Sequence, residues 1–165
     1  MKARLVVIST LVAAFALASV AAASHQAAKQ RVALTVTILP SGTGVLTPLK
    51  GGALKRDSGT FVGKSAPSTA PDLTVVREGQ TVEIYHNVWT FAGKGGSLVL
   101  RERNEAVGLG QDLDHNAFPD GIAIGTWKVV RGTGLYTGIT GGGRSAHFYQ
   151  GNRWVARYEG VLTIP

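Results

Sequence analysis

Few residues of this sequence combine a reactive type with a spacing that chemistry could use, and the sharpest set is acidic. In Asp112-Leu113-Asp114-His115-Asn116-Ala117-Phe118-Pro119-Asp120, the side-chain oxygens of Asp112, Asp114, Asn116 and Asp120 fall at positions one, three, five and nine of a calcium-type loop. Alternating oxygens on a turning backbone can converge on one hard cation. Ala117, however, stands where the sharp turn takes glycine, and Ala123 where a bidentate glutamate would close the shell. The pattern therefore predicts either a low-affinity calcium site or a plain acidic loop between strands, and no other cofactor.

The nucleophile and metal classes are thinner still. His25, His86, His115 and His147 lie in separate segments without zinc-ligand spacing. Ser145, His147 and Asp114 supply the members of a hydrolase triad, but no nucleophile-elbow sequence accompanies them. The chain has no cysteine, which excludes thiol catalysis and cysteine-bound zinc. Gly132-Thr133-Gly134 begins like a dinucleotide fingerprint, yet Thr137 occupies the third glycine position and more glycines follow where a helix is required.

A second constellation is aromatic. Tyr85, Trp89 and Phe91 alternate on one strand face with Glu83 and Asn87, and Trp127, Trp154 and Tyr158 sit on later strands. If these faces meet, Glu83, Tyr85, Asn87, Trp89, Phe91, Trp127 and Tyr158 would line an apolar pocket with a few polar groups, the common form of a small-molecule site. The competing reading is a core simply filled by these rings. Both stand on sequence grounds.

The elements that must position these residues are strands. Val32, Leu34, Val36 and Ile38 alternate with small or polar residues, and Thr81 to Arg103 reads as a hairpin turning at Gly93 to Gly96. A polar loop is predicted from Asn104 to Asp120, then a strand over residues 125–131, a glycine connection, Arg144 to Tyr149, and a closing strand from Arg153 to Ile164. Residues 45–72 hold three of the six prolines and read as irregular, apart from a short strand near Phe61. No window has helical periodicity outside the N-terminus, and 22 glycines disfavour helix. The expected fold is all-β, a small closed antiparallel barrel of about eight strands, since closure removes exposed edges.

Met1 to Arg4 and the apolar run Leu5 to Val20, ending in Ala21-Ala22-Ala23, have the form of a secretory signal peptide over residues 1–23. Residues 24–165 then make one domain, secreted or in the cell envelope. Removal of Lys2 and Arg4 would lower the net charge from +7 to +5. The basic residues are scattered without a long run, which suggests solubility and weak attraction to anionic surfaces, with neither nucleic acid nor a membrane span expected.

The segment Gly132-Thr133-Gly134-Leu135-Tyr136-Thr137-Gly138, together with Phe91-Ala92-Gly93-Lys94-Gly95-Gly96-Ser97-Leu98, resembles the allene oxide cyclase and dirigent barrel superfamily. The similarity spans roughly residues 73–164. It implies an eight-stranded barrel, often a homotrimer, with an apolar lumen of ligand size. Three functions remain open at this level: a binder of a small apolar or aromatic ligand, a cyclase-type or dirigent-type enzyme using a buried carboxylate such as Glu83, and a structural envelope protein.

Overall fold

The computed structural model describes residues 27–38, 42–49, 52–63, 71–108, 120–150 and 153–165. The signal-peptide segment and Asp112, Asp114 and Asn116 lie outside them. Among the described residues nine strands form one antiparallel sheet: β1 (Ala28–Ile38), β2 (Thr43–Pro48), β3 (Asp57–Gly63), β4 (Leu73–Arg77), β5 (Gln80–Gly93), β6 (Gly96–Gly108), β7 (Gly121–Gly132), β8 (Thr140–Gln150) and β9 (Arg153–Ile164). A single 3₁₀ turn, Gly134–Tyr136, interrupts the chain between β7 and β8.

Pairing of β3 with β5 closes eight of these strands into a ring in the order β1-β2-β3-β5-β6-β7-β8-β9, with β4 continuing alongside β5. Following paired residues round from Val107 through Ile122, Phe148, Val155, Thr37, Thr43, Thr60 and Ala92 returns the path to β6 at Ser97. That offset is the stagger a barrel-like ring needs for its strands to tilt. Strand alternation then sends one set of side chains inward: Val32, Leu34 and Val36 of β1, Leu98 and Leu100 of β6, and Ala156, Tyr158 and Leu162 of β9 are all buried.

Two sequence readings change. The loop expected from Asn104 begins later, because β6 runs on to Gly108 paired with β7. The stretch 45–72 is also more regular than its prolines suggested. It holds most of β2 and all of β3, and β3 closes the ring.

The glycines of the β7–β8 connection serve two purposes. Gly134 has φ +60°, which favours glycine, whereas a Cβ on Gly132 would come within 2.0 Å of the Tyr136 carbonyl oxygen. Tyr136 is thereby folded back into the end of the core, while Leu135 points out and is 75% exposed. The Tyr136 hydroxyl donates to Asp57 Oδ2 (2.8 Å), and the same carboxylate accepts the backbone N–H groups of Lys94 and Gly95 at 3.0 and 2.9 Å. One carboxylate thus pins three connections at what we call the turn end of the ring.

Candidate functional site

The interior divides by chemistry along its length. Toward the turn end it is apolar apart from Gln30, whose buried amide exchanges hydrogen bonds with the Leu54 backbone: Phe61 stacks on Trp89 with centroids 5.3 Å apart, Tyr158 packs against Phe61 at 5.6 Å and Trp127 meets Tyr158 edge-on at 6.3 Å. Leu46, Phe91, Leu98 and Leu100 complete this half. Glycine makes room for the largest ring, since a Cβ on Gly160 would come within 2.7 Å of Trp127 Cζ2.

Toward the other end the inward positions become polar. On β6 the inward series Leu98, Leu100 continues as Glu102 and Asn104, both within 1% of complete burial. The Glu102 carboxylate sits in the wall of the apolar half and accepts four hydrogen bonds. Trp89 Nε1–H (2.9 Å) and the Tyr158 hydroxyl (3.2 Å) donate to Oε2; the Ser145 hydroxyl and His147 Nε2–H (2.7 Å) donate to Oε1. Trp154 Nε1–H donates to His147 Nδ1 at 2.9 Å, so that nitrogen is unprotonated and Nε2 carries the hydrogen. A neutral imidazole therefore bridges an indole and a carboxylate. Burial pushes the Glu102 carboxyl up, but the hydrogen bonds from His147, Ser145 and Trp89 outweigh it and hold the group below its ordinary value.

Above this anion lies a half-buried rim of Glu83, Tyr85, Asn87, Tyr149 and Trp154. The Tyr85 hydroxyl donates to Glu83 Oε2 at 2.7 Å, and burial together with that bond pushes the phenol up to about 12. Burial, then the nearby Glu102 charge, likewise raises Tyr149. The rings of Tyr149 and Trp154 are parallel to within 4°, with centroids 5.9 Å apart, and that of His147 is parallel to Trp154 within 8°. Asn104, paired across the sheet with Tyr85 and Gly125, has a buried Oδ1 with no hydrogen-bond partner among the described residues.

The sequence-derived aromatic set is thus split. Phe91, Trp127 and Tyr158 are core side chains of the packed half, and Trp89 and Tyr158 also turn their polar atoms to Glu102. Glu83, Tyr85 and Asn87 are on the rim. Ser145 and His147 converge on Glu102, but each donates to it and neither to the other, so Ser145 is not activated by His147. His86 faces outward beside Asp72. Of the acidic loop only Asp120 is described; it is buried, and no cluster of three or more potential metal ligands occurs among the described residues.

Sequence reasoning missed Glu102, Asn104 and Tyr149. The signal for the first two was present: both continue the inward phase set by Leu98 and Leu100, and a charge in that phase marks a buried polar site. A shallow groove on the outer wall, between Arg103, Ile124, Arg144 and Arg157, offers no comparable arrangement, because its acids are taken up in ion pairs, Glu105 with Arg103 and Glu159 with Arg157. No protein-family model, curated protein or solved structure matches this chain.

Proposed function

We propose that this protein binds a small, largely aromatic ligand at the polar end of its barrel-like ring, among Tyr85, Asn87, Asn104, Tyr149 and Trp154, with no chemical step. The observation that carries this reading is the buried Asn104 Oδ1, an acceptor without a donor beside half-exposed aromatic rings. An unsatisfied buried carbonyl costs about 1–3 kcal/mol, and a ligand bearing an N–H or O–H would remove that cost on entry. The parallel rings of Tyr149 and Trp154 supply a flat apolar surface for such a molecule.

A cyclase-type enzyme would need a carboxylate able to exchange a proton during the reaction. Glu102 has two acceptor sites on each oxygen, and all four are taken by neutral donors. Glu83 accepts from Tyr85. This favours binding over catalysis. The test is a titration with N-phenyl-1-naphthylamine, an uncharged aromatic with one N–H donor, read by energy transfer from tryptophan. Saturable binding is expected in the parent chain, weakened about threefold to tenfold by Asn104→Ala. Leu135→Ser, at the opposite end, should leave it unchanged. Absence of saturable binding, or binding indifferent to Asn104→Ala and Trp154→Ala alike, removes the proposal.

A further inference from the structure

The basic residues that look scattered in the sequence are gathered by the fold. Lys29 and Arg31 open β1, Lys55 and Arg56 precede β3, Lys94 sits in the β5–β6 turn and Arg131 ends β7; the pairing of these strands brings all six to the turn end. Every one is exposed, and among the described residues none is in an ion pair. Among the described residues the acid of the turns and strand ends here is Asp57, whose carboxylate is occupied by three backbone amides and the Tyr136 hydroxyl. The other end leans the opposite way, carrying Asp72, Glu78, Glu83, Glu105 and Asp120 against Arg77 and Arg103, both of which are paired with Glu105. The molecule is thus electrically polarised from end to end.

We infer that the turn end docks on an anionic phospholipid surface, leaving the polar end facing away from it. Charge alone would suit any polyanion, but a second feature selects lipid. Leu135, 75% exposed at the tip of the 3₁₀ turn, projects next to Lys94-Gly95, to which it is tied by its N–H to the Gly95 carbonyl at 2.7 Å. An apolar side chain held out by a rigid turn, at the end that carries six exposed cations, matches an interface with headgroups outside and acyl chains below; a soluble polyanion offers nothing to that leucine.

Every strand of the closed ring lies within residues 27–165, so a chain starting at Ser24 keeps the whole ring and tests the surface without the apolar run. That chain should co-sediment with phosphatidylcholine vesicles containing about one-third phosphatidylglycerol, and not with phosphatidylcholine alone. Each neutralised cation, as in Lys55→Gln with Arg56→Gln, should lower partitioning about fivefold, and raised salt should do the same. Leu135→Ser should weaken vesicle binding severalfold while binding to immobilised heparin is unchanged. The exposed positions make misfolding an unsuitable explanation, and an unshifted thermal midpoint checks it. Equal binding to neutral and anionic vesicles overturns the inference. So does heparin binding without vesicle binding, or vesicle binding insensitive to Leu135→Ser.

Discussion

Two carboxylates organise the two ends of this molecule, and they do so in opposite ways. Asp57 lies at the turn end and binds backbone: the N–H groups of Ser58, Lys94 and Gly95, with the Tyr136 hydroxyl as the one side-chain donor among the described residues. Glu102 lies inside and binds only side chains, from Trp89, Ser145, His147 and Tyr158. A carboxylate that holds main chain fixes the path of loops, and its environment needs little more than glycines that let the amides approach. One that holds side chains fixes rotamers of rings, and those rings become a wall against which something else can rest. The first arrangement is scaffolding; the second is the more suitable foundation for a site.

The largest effect expected from breaking this contrast is at Glu102. Replacing it by Gln leaves four donors facing an amide that can accept at one oxygen only, and removing one partner from a buried charged network costs about 3–5 kcal/mol. Urea denaturation of Glu102→Gln should report a loss of that size, and a loss under about 1 kcal/mol would mean that the network is weak. Asp57→Asn should cost less, about 1.5–3 kcal/mol, because it weakens charge-assisted bonds at a partly solvated position and leaves one acceptor oxygen in place. Its signature should be local, with faster amide hydrogen exchange at Lys94 and Gly95.

The two acids also set a pH dependence. Both are held below their ordinary values, Glu102 against its burial by hydrogen bonds from His147, Ser145 and Trp89, and Asp57 against its burial by those from Gly95, Tyr136 and Lys94. A lowered folded-state value means that the contribution to stability is complete above the unfolded carboxyl range of about 4 and lost as pH falls through the folded-state value. Thermal midpoints should therefore be flat near neutrality and fall below about pH 4, with a shallower fall in Glu102→Gln. Smaller effects are expected in the β7–β8 connection. Gly134→Ala should cost about 1 kcal/mol through its positive φ, and Gly132→Ala more, since its Cβ would overlap a backbone oxygen. Tyr149→Phe should be nearly neutral for stability.

The same contrast explains what was legible in the sequence. Strand identity was readable wherever one face is apolar, as in Val32-x-Leu34-x-Val36 and in β9, because period two survives any tertiary arrangement. The ring's closure through β3 was less so: Asp57-Ser58-Gly59-Thr60 is small and polar, and its pairing depends on Gly93 from 34 positions further on. Glu102 was masked by its neighbours, since Arg101-Glu102-Arg103-Asn104-Glu105 reads as a solvated run unless the inward phase from Leu98 is carried through it. Its four donors come from β5, β8 and β9, and only the closed ring assembles them. Ser145 and His147 were singled out as chemical residues, and their chemistry is hydrogen-bond donation to a carboxylate that local spacing could not reveal.

The central claim is that Glu102 is a fixed anion within a saturated shell, which makes the polar end a binding wall and not an acid–base centre. It is tested most directly by following the side-chain carboxyl carbon of Glu102 by NMR as pH is lowered in the folded protein. The account expects a resonance that stays at its ionised position through the ordinary glutamate range and moves only at lower pH, together with unfolding. A midpoint at or above that ordinary range, about 4.3, would contradict it and return Glu102 to the list of proton-transfer groups.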